Sequence, residues 1–218
     1  MAAKYLHSFA GDVPLILKIN GKTNIPSDAE AFSSLTASVE DAVRLGADAV
    51  GYTLYVGSPA QDADIAQLAE VREDCDRFGM PLVVWSYPRG EAIEKKGGRD
   101  SFYAIDYAAR MAQEMGADVT KINFPKMDPQ RDKDAPEPYS ELELRGSEAL
   151  RQIVRSAGKT FVLVSGGSKI SDEDLLQKVR ESMEAGVTGL IFGRNMWQRK
   201  MEDALKLTER IKDAMRAF

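Results

Sequence analysis

Apolar and polar positions follow two rhythms along this chain. Short runs rich in β-branched and other apolar residues recur at Val13–Ile19, Ala49–Tyr55, Pro81–Tyr87, Val119–Phe124, Thr160–Ser165 and Gly189–Gly193. Each has the length and composition of a strand. Between them the apolar residues fall at helical spacing. Asp62–Phe78 aligns Ile65, Leu68, Val71, Cys75 and Phe78, and Met201–Phe218 aligns Met201, Ala204, Leu205, Thr208, Ile211, Met215 and Phe218. A glycine in helix-ending position (Gly46, Gly79, Gly116, Gly158 or Gly186) precedes five of the strands. These glycines stand about 28–42 residues apart, the length of one strand-plus-helix unit.

Such alternation predicts an α/β fold of parallel strands joined by right-handed crossovers, either an open doubly wound sheet or a (βα) barrel. No G-x-G-x-x-G follows the first strand, which weakens the dinucleotide-binding form. Polar and reactive residues gather at the C-terminal ends of several strands, which suits a barrel. Two segments break the rhythm. Lys126–Ser140 is rich in Pro, Asp and Lys and reads as a long surface loop, a mobile insertion in preference to a substrate lid. Arg145-Gly146-Ser147 places a glycine inside the helical stretch Leu142–Val154, which leaves a natural kink and an engineered junction both open.

Composition acts mainly by exclusion. A chain of 218 residues supports one sizeable core, so residues 1–218 are expected to form a single domain. The net charge of −5, without a basic run, argues against nucleic acid and anionic membranes as partners. The one cysteine, Cys75, is in phase with Leu68, Val71 and Phe78 and reads as buried filler; it also fits a reducing compartment. No signal peptide or membrane span is evident, and a cytoplasmic location is expected. The single histidine, His7, cannot supply a multi-histidine zinc site, and it lies in a segment without strand or helix signature. Metal-assisted hydrolysis and serine-type acyl transfer are thereby disfavoured, and neither metal nor cofactor is expected.

The chemistry concentrates in four segments. Lys121 interrupts the apolar run Val119-Thr120-Lys121-Ile122-Asn123-Phe124 and shares a face with Val119 and Asn123. A free lysine amine has a pKa of ~10.4, so burial that lowers it by about three units makes the neutral nucleophile abundant at pH 7. Such an amine is suited to Schiff-base chemistry; an edge-strand lysine pointing to water is the plain alternative. Lys18 is a candidate second cation to assist the shift. Trp85 and Tyr87 share a face of their strand, and Pro88-Arg89-Gly90 ends it. Tyr87 can serve as general acid/base provided a nearby ammonium lowers its pKa; two core aromatics are the plain alternative. Finally, Ser165-Gly166-Gly167-Ser168-Lys169 and Gly193-Arg194-Asn195 follow the last two strands. Glycine turns, the helix N-terminus expected near Ser171 and the Arg194 fork together describe an anion cradle, against the alternative of ordinary turns.

Several strings carry a resemblance: Pro14-Leu15-Ile16-Leu17-Lys18-Ile19-Asn20-Gly21-Lys22-Thr23, Ala49-Val50-Gly51-Tyr52-Thr53, Trp85-Ser86-Tyr87-Pro88-Arg89-Gly90, Lys121, Ser165-Gly166-Gly167 and Gly193-Arg194-Asn195-Met196-Trp197-Gln198-Arg199. Taken together, in this order, they resemble the archaeal-type class I fructose-bisphosphate aldolases over nearly the whole chain. The resemblance implies a TIM-barrel-like (βα) fold in large homo-oligomers and metal-free, reversible cleavage of fructose 1,6-bisphosphate to dihydroxyacetone phosphate and glyceraldehyde 3-phosphate. It implies Lys121 as the Schiff-base lysine, Tyr87 as the proton-transfer residue and Trp85 as a wall of the pocket. Ser165, Gly166, Gly167, Gly193 and Arg194 would form the phosphate site.

The chain departs from the family at its start. In the resemblance, Pro14–Ile19 corresponds to the third of eight strands, so six of the eight are present. The acidic residue carried by the family's first strand has no counterpart. Six strands cannot close with the tilt and stagger of eight, so an assembly covering the two sheet edges is expected. Two other readings remain in view: a related Schiff-base lyase or transferase, such as an aminodeoxyheptulosonate synthase or a thiolase-like relative, and a non-catalytic fragment that binds sugar phosphate or self-assembles.

Overall fold

The computed structural model describes residue 8 and residues 11–218; His7 lies outside the described residues. Its core is a six-stranded sheet in which every neighbouring pair is parallel. The strands are β1 (Ile16–Lys18), β2 (Ala49–Val56), β3 (Leu82–Pro88), β4 (Val119–Asn123), β5 (Phe161–Ser165) and β6 (Gly189–Ile191). They lie side by side in sequence order from β1 to β6. Order without reversal decides between the two expected folds. Right-handed crossovers that always step the same way put the crossover helices on one side, and the sheet curls away from them. The result is an open half-barrel with no point at which the strand order switches direction.

Period-two alternation sorts the strand residues between the two faces. On the helix side, Val50, Tyr52, Leu54 and Val84 pack with Leu68, Val71 and Cys75 of the Gln61–Phe78 helix and with Ala108 and Ala112 of the Phe102–Glu114 helix. Ile122, Val162 and Val164 pack with Ile105 and Ala109 and with Leu150 and Ile153 of the Gly146–Ser156 helix. Cys75 is buried as expected, and burial pushes its thiol up to about 12. The concave face is less complete. Ile16 and Phe161 remain 42% and 58% exposed, so the interior of the half-barrel is open along its rim.

The five helix-ending glycines all take left-handed backbone, with φ between 61° and 88°, the conformation that ends a helix at no cost to a residue without Cβ. Several expectations need correction. The first strand is shorter than Val13–Ile19, because Pro14 has no N–H and Leu15 N–H donates to the Asp48 carboxylate (2.7 Å) rather than to a neighbouring strand. Arg145-Gly146-Ser147 is not a kink inside a helix. Gly146 is the first residue of the Gly146–Ser156 helix, the Arg145 N–H donates to Glu148 Oε2 at 2.8 Å, and a Cβ on Gly146 would come within 3.2 Å of the Phe124 ring. The Lys126–Ser140 segment is not without secondary structure: it contains the helical turn Pro129–Asp132 and packs against the rest of the fold. Tyr139 packs edge-on against Phe102 and donates a 2.6 Å hydrogen bond to the buried Asp106. The last helix spans Met201–Met215 and buries Leu207 and Ile211, whereas Met201 and Leu205 are exposed. No helix among the described residues is long and apolar enough to cross a membrane.

Candidate active site

Strand register brings the concave-face residues into rows. Lys18 pairs with Gly51, Thr53 with Trp85, Trp85 with Lys121, Lys121 with Leu163, and Asn123 with Ser165. Lys121 therefore sits on an interior strand, hydrogen-bonded on both sides, and not at an edge. Its side chain is 7% exposed. The indole of Trp85 lies across Gly51, where a Cβ would stand only 2.4 Å from the ring. That glycine lets the aromatic wall lie flat against the neighbouring strand.

The Lys121 amine donates to the Tyr87 hydroxyl and lies 4.9 Å from the centroid of the Tyr87 ring. Burial, reinforced by the charges of Lys18 and Arg194, lowers the Lys121 pKa from 10.5 to about 8. Roughly a tenth of the amine is then neutral at pH 7. Lys18, on the open edge strand β1, is exposed, yet partial desolvation lowers its own amine as well. One expected outcome follows. Replacing Lys18 by methionine removes a repelling cation, so the Lys121 pKa rises above about 8 and the pH midpoint for capture of a ketone by Lys121 moves upward. Borohydride trapping measured across pH reads this directly; an unmoved midpoint rules out Lys18 as a modulator.

Tyr87 corrects the sequence-based expectation. Its hydroxyl is not made more acidic by the ammonium. Burial raises it to about 12, and the nearby Arg89 and Arg194 charges only moderate the rise. A phenol with that pKa is a proton donor at neutral pH; the phenolate form is scarce. Arg89 stacks its guanidinium 5.5 Å from the Tyr87 ring and 5.8 Å from that of Tyr55, held by Asp28 at 3.1 Å.

Lys121, Tyr87, Trp85, Ser165, Gly166, Gly167, Gly193 and Arg194 line one cavity of about 450 Å³, with Arg89 and Asn123. Gly166 and Gly193 are demanded locally by aromatic cover, since a Cβ would meet Phe192 at 2.4 Å and Trp197 at 2.6 Å respectively. The Gly166 N–H is taken by the Ile191 carbonyl (3.1 Å). Among the described residues, no acceptor meets the N–H groups of Gly167, Ser168, Gly193 and Arg194. Four backbone donors beside a guanidinium can hold an oxyanion. The Asp172–Glu184 helix behind this turn is capped by Ser171 and carries Asp172, Glu173 and Asp174 in its first turn, which weakens the pull of its positive end on an anion.

The same cavity opens into a second one of about 470 Å³, which shares Arg89, Asn123, Ser165, Gly166, Gly167 and Arg194 and adds Arg99, Lys126 and Lys178. A hydrogen-bonded chain crosses the junction. Ser165 donates to Asn123 (2.7 Å), Asn123 to Asp100 (3.1 Å), and Lys126 also donates to Asp100 (2.8 Å). Sequence reasoning assigned no role to Arg89, Arg99, Lys126 or Lys178. Arg89, just past the C-terminal end of β3, and Lys126, just past that of β4, carried a usable signal, but Arg99 and Lys178 come from a loop and a helix farther from the strand ends. No group of histidine, cysteine or carboxylates able to hold a metal ion occurs among the described residues.

Comparison with known proteins places this geometry. The family described as DeoC/LacD family aldolase matches residues 1–199. A fructose-bisphosphate aldolase class 1 of Thermoproteus tenax is 42% identical over 207 residues, covering 94% of this chain and 68% of that protein. One from Halobacterium salinarum is 36% identical over 200 residues, covering 92% and 67%. A solved archaeal fructose-1,6-bisphosphate aldolase, with its catalytic lysine covalently bound to the carbinolamine intermediate of the substrate, superposes with a TM-score of 0.82 at 40% identity. That superposition covers 98% of this chain and 74% of that one.

Proposed function

The chain belongs to the DeoC/LacD aldolase family, and we propose that it is a Schiff-base (class I) aldolase that cleaves fructose 1,6-bisphosphate to dihydroxyacetone phosphate and glyceraldehyde 3-phosphate. The observation that carries this is the Lys121 amine: buried on an interior strand, lowered to about 8, and opening on a cavity with an anion cradle. Neutral Lys121 adds to the C2 carbonyl to give a carbinolamine. Tyr87, held as a neutral phenol beside Nζ, is placed to protonate the departing hydroxyl, which leaves as water. The iminium that forms is the electron sink. The Tyr87 phenolate left by that step accepts the proton of the C4 hydroxyl, the C3–C4 bond breaks, its electron pair moves to C3 and into the iminium, and glyceraldehyde 3-phosphate leaves. Tyr87 returns the proton to C3 of the enamine, and addition of water to the iminium releases dihydroxyacetone phosphate and regenerates the amine and the phenol.

Trp85 walls the pocket, and the turns at Ser165–Gly167 and Gly193–Arg194 hold the phosphate nearer the ketone. The basic extension through Arg89, Arg99, Lys126 and Lys178 suits a second phosphate, which favours a bisphosphate over a monophosphate. Replacing Arg89 by methionine is then expected to raise KM for fructose 1,6-bisphosphate by about 10–100-fold, and that for fructose 1-phosphate much less. Equal changes for both would remove this end from recognition. The reading is tested by incubating the protein with dihydroxyacetone phosphate, reducing with borohydride and weighing the peptide containing Lys121. A mass gain on Lys121 supports it; no gain refutes the imine chemistry. A gain without turnover would favour a binding fragment.

The same reading takes residues 1–218 as one (βα)-barrel-type unit acting in the cytoplasm in sugar-phosphate breakdown and synthesis, without metal or cofactor. Among the described residues β1 and β6 end the sheet, and such edges favour an assembly of several copies.

A further inference from the structure

Asn195 stands in the Gly193–Arg199 string but does not line the cavity, and it is completely buried. Its amide nitrogen donates to the carbonyls of Gly166 (3.0 Å) and Ser168 (3.1 Å), and its oxygen accepts from the Ile170 N–H (3.1 Å). One side chain rooted in the turn after β6 thus grips three backbone groups in the turn after β5. In a trans peptide the C=O and the following N–H point in opposite directions. Drawing the Gly166 carbonyl inward to Asn195 therefore turns the N–H of Gly167, which lines the cavity, outward, and the holds on Ser168 and Ile170 fix the rest of the turn. Arg199, four residues on, locks the arrangement. Its guanidinium donates to the Asn195 carbonyl (2.6 Å) and the Ile170 carbonyl (3.2 Å) and pairs with Asp172 (2.6 Å), its side chain only 12% exposed.

We propose that Asn195, held by Arg199, is a positioning residue that aims the backbone donors of the 166–169 turn at the anion, so that selectivity for phosphorylated ketones depends on a side chain that never touches them. This rests on the aldolase reading for its substrate but not for its anion. Replacing Asn195 by alanine frees the Gly166 and Ser168 peptides to rotate. Half-saturation for borohydride trapping of dihydroxyacetone phosphate is expected to rise at least about tenfold, with a similar loss of affinity for inorganic phosphate by calorimetry. Trapping of unphosphorylated dihydroxyacetone should stay within about twofold of the wild type. Arg199→Met should shift the phosphorylated ketone in the same direction by less, and Arg199→Lys should restore part of the loss.

An equal fall for both ketones, or an unchanged response to phosphate, overturns the proposal. Should Asn195→Ala fail to fold, the Arg199→Met and Arg199→Lys pair decides by the same ratio between ketones. Should the wild type trap neither ketone, the aldolase reading fails by itself, and phosphate calorimetry on the wild type and variants still decides the role of Asn195.

Discussion

Replacing Lys121 by methionine abolishes borohydride trapping and lowers turnover by about four orders of magnitude or more, because the covalent nucleophile is gone. The same change should make the protein more stable at neutral pH. Lys121 has a folded pKa of about 8 against 10.5 for the free amine, so the unfolded chain binds this proton more tightly. Between those values the unfolded state holds more protons, and stability rises with pH. Below about 8 the charged amine costs the fold its full penalty, about 3 kcal/mol at ~1.36 kcal/mol per pKa unit. Losing the hydrogen bond to Tyr87 offsets about 1 kcal/mol of the relief. Denaturation at pH 7 should therefore show the methionine variant more stable by roughly 1–2 kcal/mol, the advantage shrinking towards pH 10.5. A variant that is inactive but less stable at pH 7 would mean that burial does not strain this lysine, and the reason given for its nucleophilicity would be lost.

Tyr87→Phe gives the second large effect. It keeps the ring that Arg89 stacks on and removes only the hydroxyl beside Nζ. General acid catalysis contributes about 10²–10⁴-fold, so kcat should fall by that factor while dihydroxyacetone phosphate can still be trapped on Lys121, more slowly. Wild-type activity should show no loss attributable to Tyr87 ionisation until the pH approaches about 12, because burial and not a nearby cation governs the phenol. An unchanged kcat in the phenylalanine variant would move the proton transfer to another group. An alkaline limb near pH 8 that vanishes with the hydroxyl would show that the phenol is acidic after all.

The alternation of strand and helix was legible because each element announces itself locally. All six strands of the sheet fall within the apolar runs or one residue beyond them, and the five glycine stops take the left-handed backbone their position requires. Gly146 misled because a helix start was mistaken for a helix interior; the Glu148 carboxylate that returns to the Arg145 N–H marks the true first turn. Tyr87 misled for a different reason. The lysine beside it was foreseeable from strand periodicity, but the sign of its pKa shift depends on how burial compares with the surrounding charges, which periodicity does not measure.

What the sequence by itself determined is local: where the strands lie, which residues share a face, and that Lys121, Tyr87 and the two glycine turns stand on or just after four different strands. Tertiary structure alone decided how those strands line up. The uninterrupted order β1 to β6 puts the crossover helices on one side and sends Trp85, Tyr87, Lys121 and Ser165 into a single concavity. It also decided the roles of residues that act across long gaps in the chain, as Asn195 does on Gly166 and Arg89 on Asp28. The physical reason is range. Backbone periodicity is set by neighbours a few residues apart, whereas desolvation, charge and hydrogen bonding act through space between segments that only folding brings together.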